Sequence, residues 1–283
     1  MKKILVPIDF SECSVNALNY AAALASHLEA KIVLLHVYQV PIPATDLPVL
    51  EIISSEEMEK NFSGRMHHVV REQKKELGWD ADVTILNIPG IVHSEINRTV
   101  AEKGIDLLVM GMRGRATVVD RVFGSTATEM IKKAKCPLLL VPEDAEFQMP
   151  DSMAVAIDFN QPEDIRKLGL AKELAKHFNA RIRVFSILDE KQDDPSDKAV
   201  VFDALDQQLK DTEHSIHFQV HQPVTEGILN FVDEHQSKML VIFHHSHNVF
   251  TRIFMSIHSQ QVSFNIRIPM LVFTEQASYA PAG

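Results

Sequence analysis

The chain has 283 residues, 46% hydrophobic and 23% charged, with ten Gly, thirteen Pro and two Cys. This composition excludes collagen-like, low-complexity and wholly disordered chains, and the length suits two domains. A formal net charge of −10 opposes general adsorption to nucleic acid or anionic lipid, two cysteines make no disulfide framework, and no run approaches the ~18 apolar residues of a membrane span. The expectation is a cytoplasmic protein with no nucleic-acid and no membrane partner.

Short apolar runs at 3–8, 31–38, 82–87, 106–111 and 137–141 have strand length and are almost continuously hydrophobic. Such runs predict strands covered on both faces, as in a parallel sheet. Between them, 14–28, 54–77, 92–103 and 125–134 carry apolar residues at helical spacing, with Leu18, Ala21, Ala22, Ala25 and Leu28 on one face of the first. Alternation of this kind implies right-handed crossovers and a doubly wound α/β sheet. Residues 39–53, with Pro41, Pro43 and Pro48, read as a linker or as a lid over a ligand.

The second half repeats the first. Ile4-Leu-Val-Pro-Ile-Asp-Phe-Ser11 matches Met153-Ala-Val-Ala-Ile-Asp-Phe-Asn160, and Leu24-Ala-Ser-His-Leu-Glu-Ala-Lys-Ile32 matches Leu174-Ala-Lys-His-Phe-Asn-Ala-Arg-Ile182. Arg121-Val-Phe-Gly-Ser125 faces Arg252-Ile-Phe-Met-Ser256, and Cys136-Pro-Leu faces Ile268-Pro-Met. Four matches in one order mean a duplicated domain. Strands are expected near 152–157, 181–187, 215–221, 238–243 and 269–273, with a helix at 198–211. The acidic and Pro-containing stretch 142–149 marks the boundary, giving domains 1–145 and 149–276.

Three of the ten glycines form Gly111-x2-Gly114-x9-Gly124, followed by Ser125 and Thr126. This loop leaves a predicted strand at its carboxyl end, where open α/β sheets bind ligands. Bare glycine backbone, two hydroxyls and a helix N-terminus can together cradle a phosphate, and Arg113, Arg115 and Arg121 make the loop locally basic. Turn closure by the glycines and helix capping by Ser125 would account for the same residues. Neither a P-loop nor a Gly-x-Gly-x2-Gly fingerprint occurs.

The Val-Pro-Ile-Asp-Phe-Ser strand end, taken with Gly-x2-Gly-x9-Gly-[Ser/Thr], closely resembles the universal stress protein family, and the resemblance covers both halves. It implies two five-stranded, doubly wound parallel sheets of the adenine-nucleotide alpha-hydrolase-like kind, duplicated as an internal pseudo-dimer whose last strands pair. It also implies ATP, with Mg2+ as its companion, at the carboxyl edge. Gly111, Gly114, Gly124, Ser125 and Thr126 would hold phosphates, Asp9 would meet ribose hydroxyls, and Pro7, Ile8 and the Val37 backbone would line the adenine pocket. Met110 and Arg113 complete the candidate binding set.

Aligned on the motif, Gly111 becomes Phe243, Gly114 becomes Ser246 and Gly124 becomes Met255, side chains expected to fill the phosphate space. Residues 1–145 carry 16 basic and 19 acidic groups, net −3, while residues 146–283 carry 12 and 19, net −7. One nucleotide per chain, in the first domain, is the expectation. Asp158 persists at the position of Asp9, which points to helix capping in both copies. His244, His245, His247 and His258 read as solvated rather than metal-binding. His27 and His177 read as helix-carbonyl caps, Cys13 as a small buried residue and Cys136 as inert. The leading function is a nucleotide-occupancy sensor or regulator in stress response, with an unidentified protein partner and a homodimer of the two-domain chain both open. A ligand-free scaffold and a slow ATP hydrolase are the alternatives; no paired carboxylates, Ser-His-Asp set or metal-ligand cluster marks a catalyst in the first half.

Overall fold

The computed structural model describes residues 1–40, 55–112, 125–159, 164–188, 199–221, 223–244 and 266–277. Its first half runs β1 (Lys3–Pro7), α1 (Glu12–Leu28), β2 (Lys31–Tyr38), α2 (Ser55–Leu77), β3 (Val83–Pro89), α3 (Val92–Lys103), β4 (Leu107–Met112), α4 (Ser125–Lys133) and β5 (Leu138–Pro142). The second runs β6 (Ser152–Ala156), α5 (Asp164–Lys167), α6 (Gly169–Phe178), β7 (Arg181–Leu188), α7 (Ala199–Leu209), β8 (His214–Val220), α8 (Val224–Glu234), β9 (Met239–Phe243) and β10 (Met270–Phe273).

The ten strands form one sheet in the order β3-β2-β1-β4-β5-β10-β9-β6-β7-β8. Within each half all pairings are parallel; β5 and β10 pair antiparallel, with Leu139 opposite Leu271. The expected pair of five-stranded sheets is therefore fused into a single continuous one. Sequence pattern follows position. Central β1, β4, β5, β9 and β10 bury almost every residue, whereas outer β3 and β8 are mostly half-buried and carry polar side chains.

Helices cover both faces. Leu18, Ala21, Leu24 and Ala25 of α1 pack with Leu174 of α6 and Leu205 of α7 in the cluster on one face. Ile96 and Val100 of α3, Met130 of α4, and Ile228 and Phe231 of α8 belong to the other. Alanines at 17, 21, 22 and 25 let α1 lie close to the strands while keeping high helix propensity. A polar bond also crosses between the halves: fully buried Thr274 donates its hydroxyl to Ala134 O (2.6 Å), while within the first half Asn16 Nδ2 ties α1 to the end of β5 through Pro142 O (3.0 Å) and Ala145 O (3.1 Å).

Candidate functional site

The carboxyl edge of the first half-sheet gathers the ends of β1, β2 and β4. After β1 the chain turns at Asp9. Its Oδ1 accepts from the Ser11 amide (3.0 Å) and the Ser11 hydroxyl (2.5 Å), and Ser11 caps α1 by accepting from Ser14 N (3.2 Å). Burial pushes the Asp9 carboxyl up, but the Ser11 bonds, with Ser14, prevail and hold it below the ordinary range. Asp9 thus orients the N-cap residue instead of capping the helix itself. It remains exposed, with carboxylate lone pairs for a further donor.

Phe10 adopts a left-handed backbone (φ 68°), costly for a bulky residue. Its ring is held in a cluster not foreseen from the sequence. Arg65 lies 4.0 Å over its centroid, His36 is 4.8 Å away, and Phe62 packs 4.5 Å from His36. His36 Nδ1–H donates to Ile8 O (2.7 Å), which fixes the tautomer because a carbonyl can only accept. Burial lowers its pKa; the Ile8 bond and Asp9 oppose this, and Arg65 assists it. Phe62 and Arg65 belong to α2, which packs on the same face of the sheet as α1, so the cluster ties α2 and β2 to the Asp9 turn. The available signal was a histidine interrupting the apolar run Leu34-Leu35-His36-Val37.

Of the expected adenine-lining residues, Pro7 and Val37 are half-buried, but Ile8 is covered. Ile8 N–H already donates to Leu35 O (2.8 Å) while its carbonyl accepts from His36, so both of its backbone groups are engaged. Met110 is buried in the core and offers only main chain. Gly111 pairs with Val141, and a Cβ there would lie 2.4 Å from Cys13 O and 2.5 Å from Cys13 Sγ. Its missing side chain is thus required by the close approach of α1's first turn, independently of any ligand. Ser125 and Thr126 open α4, where first-turn N–H groups, which have no carbonyl partner within the helix itself, and the positive dipole end favour an anion. Arg113, Gly114, Gly124 and most of the loop 39–53 lie outside the described residues, as do Ser246, Met255, His245, His247 and His258.

Two expectations for the second half need correction. Phe243 does not project into a phosphate-sized space: it is fully buried, its ring stacked 5.3 Å from that of Phe273. His244 is not solvated; it is 5% exposed, and its backbone N–H donates to Phe273 O (2.8 Å), continuing the strand pairing past β9. His27 Nδ1 bonds Ala23 O (2.9 Å), as a carbonyl cap should, while His177 packs edge-on against Phe178 (4.9 Å). Cys13 and Cys136 are both buried, and burial pushes the Cys136 thiol up to about 12. Among the described residues no group of three or more His, Cys, Asp or Glu is placed to hold a metal ion, and no helix is long and apolar enough to cross a membrane.

Fold and site define a duplicated, doubly wound α/β protein whose acidic turn, strand-end glycine and helix N-terminus share one sheet edge. The sequence profile described as "Universal stress protein family" matches residues 1–142 and again 149–274, and the chain belongs to that family, in tandem form. It is 30% identical over 155 residues to the universal stress protein MJ0577 of Methanocaldococcus jannaschii, covering 50% of this chain and 94% of that one. Universal stress protein Rv1996 of Mycobacterium tuberculosis is 26% identical over 186 residues, covering 61% of this chain and 57% of that protein. A crystal structure of a universal stress protein from Archaeoglobus fulgidus superposes with a TM-score of 0.70 at 20% identity, covering 96% of this chain and 98% of that one; it is similar in fold.

Proposed function

We propose that the chain is a regulator in stress response whose first domain, residues 1–145, senses an adenine nucleotide, while the second, 149–276, serves as its structural partner. ATP, carried with Mg2+, is the ligand this reading assigns. The observation that carries it is the convergence of Asp9, the end of β4 at Gly111 and the α4 N-terminus on one edge. Ser125 and Thr126 would donate hydroxyl and amide hydrogens to phosphate oxygens, and the lone pairs Asp9 retains would accept from ribose hydroxyls. Pro7 and Val37 would flank the base, with Arg113, Gly114 and Gly124 completing the loop.

The bound nucleotide would supply negative charge and ordering; the protein's part is to hold it and alter its own surface. Several charge-assisted hydrogen bonds at about 1.5–3 kcal/mol each suffice for the ~8 kcal/mol of micromolar affinity. Calorimetric titration of ATP, AMP and a control nucleotide against the full chain and Gly114→Val tests this. Saturable ATP binding at one per chain, lost in Gly114→Val, is expected. Equal binding by the variant would overturn the assignment.

A further inference from the structure

Strand register matches the two halves residue by residue at the amino edge. Leu5 pairs with Val33 where Ala154 pairs with Arg183, and Ile4 pairs with Leu107 where Met153 pairs with Met239. Arg183 therefore replaces a buried valine, and Lys238 replaces Asp106. Gly104 and Gln236 are both left-handed helix ends (φ 60° and 49°), so His235 stands where the first half has Lys103.

The replacements line one hollow of roughly 300 Å³ formed by Asp151, Ser152, Asn179, Arg181, Arg183, Glu213, His235, Gln236 and Lys238. Arg181 is committed to Glu213, its Nε donating at 2.6 Å. Half-buried Arg183 has only a neutral partner, Ser152 Oγ (2.5 Å), and neither Arg183 nor Lys238 is paired with a carboxylate among the described residues. Asp151 is the opposing acid, exposed on the rim. The hollow thus keeps a net positive charge in the more acidic half of the chain. Leaving a guanidinium partly desolvated without an anion is unfavourable, and a bidentate oxyanion is its natural complement.

We propose that this hollow binds a phosphate-type oxyanion through Arg183 and Lys238, with Ser152 and Asn179 as neutral donors. The site is separate from the glycine-loop edge and is a product of divergence after duplication. His217, two positions along β8 from the partner of Arg183, has its pKa lowered by burial first and then by His235 and Arg183, which fits a locally positive field.

Inorganic phosphate and glycerol phosphate are titrated calorimetrically into the full chain at low ionic strength, beside Arg183→Val, Lys238→Gln and, as control, Lys31→Gln. Each of the first two should weaken binding about tenfold to a hundredfold, the range of one charge-assisted bond, with Lys31→Gln unchanged. Arg183→Val restores the first half's residue, and Lys238→Gln alters a half-buried edge position, so one folded variant suffices. Tighter binding of the ester identifies an organic phosphate as the source, and equal binding free phosphate. Absence of binding, or binding indifferent to both substitutions, overturns the proposal.

Discussion

Gly111→Ala separates packing from ligand binding. The added methyl would sit 2.4 Å from Cys13 O, 2.5 Å from its Sγ and 2.8 Å from its carbonyl carbon. The shortest of these lies about 1 Å inside the ~3.5 Å optimum for non-bonded atoms. Two of the three atoms are main chain of α1's first turn, which Ser11 and Asp9 hold in place, so no rotamer change gives relief. Overpacking of this sort costs about 1–3 kcal/mol, or a melting temperature lower by roughly 2–10 °C for a domain of this size. Thermal and urea unfolding without nucleotide should show the loss, and adding Cys13→Ala should restore only the part due to sulfur. A Gly111→Ala protein melting within about 1 °C of wild type would refute the close-approach argument and return this glycine to the ligand.

Ser11→Ala removes the N-cap of α1 together with a donor to Asp9 and should cost about 1 kcal/mol by urea titration; an unchanged midpoint would remove the cap's importance. Thr274→Val leaves Ala134 O without its donor across the seam and should cost about 1–3 kcal/mol, read as a lower melting temperature. For pH, His36 and His217 both have folded pKa values lowered chiefly by burial. Their neutral forms are favoured on folding, so their stabilisation is complete above the unfolded value of about 6.5 and declines as pH falls through the lower folded values. His217→Leu, which installs the residue the first half has at that register, should flatten the fall in urea midpoint between pH 7.5 and 5.5, and an identical slope would sink that assignment.

Most elements were legible because each strand is a short apolar run and each helix presents one apolar face. Strand runs carry no mark of which distant edge they join, so the pairing of β5 with β10 was legible only through the family resemblance, which implied that the last strands of the two halves pair. Gly111 stood out as special, but a sequence cannot say whether a bare Cα faces a phosphate or a neighbouring helix. The same ambiguity explains Phe243: opposite Phe273 its bulk is core, not obstruction. His244 looked like part of a wet histidine cluster, yet its amide extends the ladder and draws it inside. Phe10, His36, Phe62 and Arg65 come from three separate segments, beyond the reach of periodicity arguments.

The antiparallel pairing of β5 with β10 leaves β3 and β8 as the sheet's outer margins, nine strand spacings or roughly 43 Å apart. These margins are unlike each other, Val-Thr-Ile-Leu-Asn-Ile-Pro against His-Ser-Ile-His-Phe-Gln-Val. Strand-mediated association of whole chains would therefore close at two copies when like margins meet, and would grow without end as a ribbon when unlike ones do.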